Sequence, residues 1–395
     1  MASPQSPSSS PRHYSLFLAI FSLAVGGFCI GTTEFVAMGL IQEIAHNLKI
    51  TVPEAGHFIS AYALGVVIGA PIIAILGAKV PRKTLLLCLM LFYGIANACT
   101  ALAHTPETVL VSRFIAGLPH GAYFGVGALV AAELAGPSRR ASAVAQMMMG
   151  LTVATVIGVP LATWLGQHFG WRAGFEFSAT IAFFTLIAVA CFVPNIPVQA
   201  TASLAGLKNI NMWLTLAVGA IGFGGMFSVY SYVSPILTEY TKVNIQIVPI
   251  ALALWGIGMV IGGLAAGWLA DKNLNKTIVG VLISSAIAFV VASFLMSNIY
   301  SAIGSLFLIG LTVMGLGGAL QTRLMDVAGD AQTLAASLNH SAFNLANALG
   351  AFLGGWVLSH QMGWIAPIWV GFVLSLGGLI ILLIAFAVEK ATQKA

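Results

Sequence analysis

The sequence predicts an all-α polytopic membrane protein, with about twelve transmembrane helices in two pseudo-symmetric six-helix bundles. Three observations lead there. The 395 residues are 59% hydrophobic and only 7% charged, against roughly 25% charged in soluble domains. A soluble fold of this length cannot hide that much apolar surface. Breaks at polar and Pro/Gly clusters divide the chain into about twelve apolar segments, each near the ~20 residues needed to cross about 30 Å of hydrocarbon. The halves also repeat one another. "GVPLATWLG" (158–166) resembles "GAFLGGWVL" (350–358), with Gly158 to Gly350 and Trp164 to Trp356 at one offset of 192, and "AKVPRK" (78–83) corresponds to "DKNLNK" (271–276) at 193.

In chain order, residues 1–13, "MASPQSPSSSPRH", are Ser/Pro-rich and are expected to form a disordered cytoplasmic tail. The apolar run after it is about 25 residues long, beyond the ~7–15 of a signal-peptide core, so the first helix is expected to stay as a membrane anchor. The first bundle, 14–193, is expected to contain helices at 14–40, 54–77, 84–103, 107–132, 142–166 and 172–193. A cytoplasmic linker, 194–209 ("PNIPVQATASLAGLKN"), leads to the second bundle, 210–388. Its helices are expected at 210–238, 247–270, 277–296, 301–322, 333–358 and 365–388, followed by a cytoplasmic tail, 389–395.

Positive charge sets the expected orientation. With both termini cytoplasmic, the cytoplasmic segments hold Arg12, Lys79, Arg82, Lys83, Arg139, Arg140, Lys208, Lys272, Lys276, Arg323, Lys390 and Lys394. The opposite side holds Lys49, Arg172 and Lys242, and Arg113 falls within a helix. This positive-inside bias accounts for the net charge of +5 without a nucleic-acid partner. Cys29, Cys88, Cys99 and Cys191 are scattered without metal-ligand spacing and are expected to be small core residues. No metal or cofactor is implied. Neither HExxH nor GxSxG occurs, which counts against an enzyme, and short loops without a signalling domain count against a receptor.

The loop after the second helix carries Ala74, Ala78, Lys79, Pro81, Arg82 and Lys83, and its second copy carries Gly267, Asp271, Lys272 and Lys276. Helix four reads "RFIAGLPHG", with Arg113 and Gly117; helix five reads "GLTVATVIGVP", with Gly150, Gly158 and Pro160. Together these resemble the major facilitator superfamily, and within it the drug:proton antiporter branch with twelve spans. The loops resemble its basic gating motif, Gly-x-x-x-Asp-Arg-x-Gly-Arg-Lys, although the first copy lacks the Gly and the Asp. Helices four and five resemble its Arg-x-x-x-Gly and antiporter motifs. "GTTEFVAMGL", "LPHGAYFGVGALVAAELA" and "GVPLATWLGQHFGWRAGF" resemble bacterial arabinose-inducible and sugar-efflux-like exporters, and purine-nucleoside and chloramphenicol exporters share much of the pattern.

The resemblance implies a proton-coupled efflux antiporter of the bacterial inner membrane. It would export a small neutral or weakly charged solute, sugar-like or drug, by alternating access, as a monomer. A purine nucleoside or nucleobase exporter, and a proton symporter or uniporter on the same scaffold, are the alternatives, since fold does not fix coupling.

Within the spans, Glu34 lies six residues before Leu40 and Arg113 six after Glu107, each about 9 Å deep at 1.5 Å per residue. Opposite charges at matching depth are expected to pair, as a static salt bridge or as a protonation switch. The resemblance adds that helices one and four border the central cavity. His120, about 20 Å into helix four, suits proton relay, substrate hydrogen bonding or a structural contact. Helix eleven is unusually polar, with Asn339, His340, Asn344 and Asn347. These, with Tyr230 and Tyr232 in "VYSYVSP" and Tyr62 on helix two, are the substrate-cavity candidates, with interhelical packing the competing role. Glu176, four residues after Arg172, is expected to pair with it at the interface.

Overall fold

In the computed structural model of the chain the described residues are 15–136, 139–196, 209–328 and 332–392. The expected disordered tail, most of the linker and the last three residues lie outside them. Among the described residues every regular element is helical. Twelve helices are long and apolar enough to cross a membrane: Leu16–Gly39, Val52–Ile73, Arg82–Leu102, Pro106–Ala135, Ser142–Phe169, Arg172–Phe192, Ile210–Tyr230, Ile245–Lys272, Leu274–Leu295, Ile299–Ala328, Leu338–Ser359 and Ala366–Ala391. They are called spans one to twelve below. The chain forms two six-helix bundles, one from spans one to six and one from seven to twelve. Leu16 and Ala391 lie on one face, the terminal face; the opposite face is distal.

Local chemistry explains where the spans depart from single rods. Span four consists of two helices, Pro106–Gly117 and His120–Ala135, because Pro119 has no N–H to continue the ladder. Span seven passes from Ile210–Gly222 to Gly224–Tyr230 and ends beyond Pro235 in a π-helical turn, Ile236–Tyr240. A short helix that sequence reasoning missed, Ile41–Leu48, joins spans one and two on the distal face. Span two then starts with a capping box, in which Thr51 N–H donates to Glu54 Oε2 at 2.7 Å and Glu54 N–H donates back to Thr51 Oγ1 at 3.3 Å.

The outer walls are apolar: Leu102, Phe184, Leu264 and Phe294 project outward, as lipid-facing residues must. Three of the four cysteines, Cys88, Cys99 and Cys191, lie on this exposed surface rather than in the core, and only Cys29 is buried. A thiol is apolar enough for either environment, so sequence spacing could not tell them apart.

Small residues set how closely the helices approach. A Cβ on Gly150 of span five would lie 1.9 Å from the Ala24 carbonyl oxygen of span one, and one on Gly158 would lie 2.2 Å from Thr32 Oγ1. Between them, residues Ala154–Gly158 form a π-helical turn, where Pro160 follows and removes a donor. Across the seam between bundles, spans two and eleven pack together, as do spans five and eight. Gly256 of span eight sits so close to span five that a Cβ would meet Thr155 O at 2.4 Å.

Polar contacts across the seam cluster toward the distal face. Gln42 Nε2 donates to Thr238 Oγ1 at 2.8 Å, and Ser234 Oγ donates to Gln42 Oε1 at 2.8 Å. Gln167 Nε2 donates to Ile245 O at 3.1 Å, and Ser60 Oγ to Ala348 O at 3.1 Å. The polar contacts described near the terminal face stay within one bundle, including Arg82 with Glu133 and Arg323 with Glu389.

Candidate functional site

The site is built around the buried end of span one. Thr32 and Thr33 return their hydroxyls to Phe28 O at 2.8 Å and Cys29 O at 3.1 Å, four residues back on their own helix. Glu34 has no such local outlet. It is 6% exposed, and among the described residues of the twelve spans it is the only buried carboxylate. Its hydrogen-bond donor is Asn347 of span eleven, whose Nδ2 lies 3.2 Å from Glu34 Oε1. The carboxylate of one bundle is therefore held by the amide of the other.

Arg113 is fully buried, but it does not form the ion pair with Glu34 that matching depth suggests. Among the described residues the two ion pairs are Arg82–Glu133 and Arg323–Glu389. The Arg113 guanidinium lies over the Tyr62 ring, 4.2 Å from its centroid, and 5.2 Å from that of Phe175. Its Nη2 donates to Thr33 O at 3.4 Å, while Nε and Nη1 have no partner. Counting residues along a helix gives depth but not the direction a side chain takes around it, and Glu34 turns to span eleven. Arg113 remains close enough to act electrostatically on the carboxylate. Arg172 likewise does not pair with Glu176; it donates to Asn47 Oδ1 at 2.9 Å and Ala103 O at 2.7 Å.

Tyr62 connects this centre to His120. Its hydroxyl is 2.9 Å from His120 Nδ1 and 2.9 Å from the Tyr93 hydroxyl, and Tyr93 donates onward to Ile30 O at 3.4 Å. The His120 ring tilts against Phe124 at 5.4 Å, and Phe124 stacks on His340 of the other bundle at 5.5 Å.

On the other side of Glu34, Tyr230 stands edge-on to Phe35 at 5.3 Å and to Trp255 at 4.9 Å. The Tyr230 hydroxyl and the Trp255 indole N–H are both buried without a partner. Tyr232 is committed elsewhere: its hydroxyl donates to Ala351 O at 2.7 Å and its ring fills the space beside Gly56, Gly354 and Gly355. Asn344 Nδ2 donates to His340 O at 3.0 Å on its own helix, leaving its Oδ1 unpartnered, and Asn339 donates to Gln321. The chain thus brings Glu34, Arg113, Tyr62, His120, Tyr230 and Asn347 into one region and leaves Tyr232 and Asn339 in packing contacts.

The loop candidates sit apart from this centre. Lys79 ends a short 3₁₀ turn, Gly77–Lys79. Arg82 reaches Glu133 at the terminal end of span four, and Lys83 donates to Ala190 O of span six at 2.8 Å. In the second copy Lys272 covers the Trp268 ring at 3.3 Å, and the Lys276 backbone N–H donates to Asn273 Oδ1 at 3.0 Å. Gly267 has open space at its Cβ position, and Asp271 forms no ion pair among the described residues. The buried tie in this half is Arg323, which donates to Asn275 Oδ1 at 2.9 Å and Glu389 Oε1 at 2.7 Å. Sequence reasoning counted Arg323 only as a loop charge. Its position near Ala328, the terminal end of span ten, was the available signal. Gln42, Thr238 and Trp255 were also missed.

Comparison with known proteins gives this architecture its relatives. The family described as Major Facilitator Superfamily matches residues 23–339 and 216–395. The inner membrane transport protein YdhP of Escherichia coli (strain K12) is 37% identical over 378 residues, 95% of this chain and 97% of that protein. A probable sugar efflux transporter of Helicobacter pylori is 27% identical over 389 residues, 95% of this chain and 96% of that protein. Among solved structures, a crystal structure of a mutant of the nucleoside transporter NupG superposes with a TM-score of 0.75 at 15% identity, covering 94% of this chain and all of that one.

Proposed function

The chain belongs to the major facilitator superfamily, and from that premise we propose that this multi-pass membrane transporter is a proton-coupled efflux antiporter. It exports a small neutral or weakly charged solute, sugar-like or drug, across a bacterial inner membrane by alternating access. The terminal face is cytoplasmic in this reading, supported by the twelve Lys and Arg on that side against three on the other. The first bundle is 14–193 and the second 210–388, and the functional unit is the monomer.

The observation that carries the proposal is the buried Glu34 carboxylate on the seam, held by Asn347 of the opposite bundle. Intramembrane carboxylates are costly and mark proton or ion pathways, and one that both bundles touch has different surroundings in each facing state. Arg113, with two unpartnered guanidinium nitrogens, supplies the charge that the carboxylate and the solute share in turn. His120 lies on the same polar chain through Tyr62. Tyr230 and Trp255 offer an aromatic wall with two free hydrogen-bond groups, suited to a ring-shaped polar solute. Asn344 adds an acceptor. The Gly150–Gly158–Pro160 segment keeps spans one and five in close contact and so opposes proton leakage.

Three observations favour export of a weakly charged solute in particular: the similarity to a sugar efflux transporter, the low charge content and the single buried carboxylate among the described residues of the spans. The test is reconstitution in proteoliposomes with a pH-sensitive dye inside and a panel of arabinose, inosine and chloramphenicol outside. For antiport, an inward gradient of the transported compound drives protons outward. Protons moving with the compound would establish symport, and flux without proton movement would establish uniport; either result refutes the proposal.

A further inference from the structure

Asn347 and Glu34 are both buried, and their contact spans the seam. A carboxylate offers only acceptors, so the Asn347 amide must present its N–H; its own Oδ1 has no partner. Among the described residues the other hydrogen bonds joining the bundles, at Gln42, Ser60 and Gln167, lie at or toward the distal face. The Asn347–Glu34 bond therefore belongs to the arrangement in which the distal mouth is shut. A bond to an ionised acceptor is roughly twice as strong as one between neutral groups. A contact made in one arrangement, and stronger in one protonation state, necessarily links the two.

We infer that Asn347 is the positioning residue through which the charge on Glu34 shuts the distal mouth. Ionised Glu34 draws span eleven onto span one; protonated Glu34 gives that attraction up and lets the mouth part. The proton is taken up at Glu34 from the distal side while the mouth is open. It leaves to the terminal side as the amide closes on the carboxylate, so no other group is consumed. This rests on the proposal that Glu34 is the transported proton's site.

The titratable groups that face Glu34 are Arg113 from span four, Tyr62 from span two and Tyr230 from span seven. Span eleven contributes the neutral Asn347. Spans five, six and eight, also packed on span one, carry charged or histidine side chains only toward their ends: His168, Arg172, Glu176, Asp271 and Lys272. Glu43 and Glu239, beside the distal mouth, are replaced by glutamine in the parent and in every variant below, so neither contributes to the titration.

The experiment measures the width of the distal mouth with no solute present. Spin labels are placed at the exposed positions His46 and Lys242, with the lipid-facing Cys88, Cys99 and Cys191 replaced by alanine and the buried Cys29 retained. Distances are read by double electron–electron resonance in nanodiscs from alkaline to acidic pH. Acidification is expected to lower the closed-to-open ratio by about five- to tenfold, the difference between a charge-assisted and a neutral hydrogen bond. Asn347→Leu and the smaller Asn347→Ala lose the response, and Asn347→Gln, which keeps an amide N–H, restores it. Glu34→Gln is flat at every pH. Asn347→Leu and Asn347→Ala titrating like the parent while Glu34→Gln stays flat would overturn the role of Asn347 alone. Glu34→Gln titrating like the parent would overturn the proton site beneath it.

Discussion

Gln42 is the most concentrated distal tie between the bundles, and its removal has a calculable effect. Its amide donates to Thr238 Oγ1 at 2.8 Å and accepts from Ser234 Oγ at 2.8 Å. Gln42→Leu keeps much of the volume and deletes both bonds. Thr238 keeps an alternative acceptor in Ser234 O at 3.1 Å, so only part of the polar surface is stranded. At about 0.5–1.5 kcal/mol per neutral hydrogen bond, closure loses about 1–3 kcal/mol. That corresponds to a roughly five- to 150-fold fall in the closed-to-open ratio. The assay is the His46–Lys242 spin-label distance at a fixed alkaline pH, where the parent is expected to be mostly closed. A second, longer distance should grow at the expense of the short one. An unchanged distance distribution in Gln42→Leu would refute the assignment of the distal ties as what holds the mouth shut.

Other outcomes follow from packing and charge. Gly150→Ala places a methyl 1.9 Å from Ala24 O and should lower the thermal unfolding midpoint in detergent, at an overpacking cost of about 1–3 kcal/mol. Gly125→Ala, with nothing within 4 Å, should be neutral or stabilising by up to about 1 kcal/mol from helix propensity. Arg323→Met breaks the contacts to Asn275 and Glu389 and should destabilise the second bundle, read as faster proteolysis of that half. Burial raises the Glu43 carboxyl above its ordinary range, so its ionised form is penalised in the folded protein. The penalty is absent below the ordinary carboxylate pKa and complete above the raised one. Glu43→Gln should therefore raise the unfolding midpoint at neutral pH, with the gain shrinking to nothing as pH falls through that window.

The spans were legible because crossing a membrane imposes length and apolarity on every segment, and the Gly158–Gly350 and Trp164–Trp356 repeat betrayed the two bundles. What lay between spans was not. The helix Ile41–Leu48 is too short to stand out by hydropathy, although it carries Gln42. In the centre, depth was readable and direction was not. Glu34 and Arg113 are level by residue count, yet the carboxylate turns to Asn347 and the guanidinium to Tyr62 and Thr33 O. The polarity of span eleven was visible in its asparagines, but the sequence could not say that one would meet a carboxylate while another merely bonded to its own helix. Tyr232 looked like Tyr230 in "VYSYVSP", and only the structure separates a hydroxyl tied to Ala351 O from one left free.

If Glu34 carries the proton that drives export, removing its charge must separate uphill movement from exchange. The most direct measurement compares the parent with Glu34→Gln in proteoliposomes, using whichever of arabinose, inosine or chloramphenicol the parent transports. Uphill movement under an imposed proton gradient and solute exchange without a gradient are measured side by side. Glu34→Gln is expected to retain exchange and lose uphill movement. Undiminished proton-driven accumulation by Glu34→Gln would rule out Glu34 as the proton's carrier.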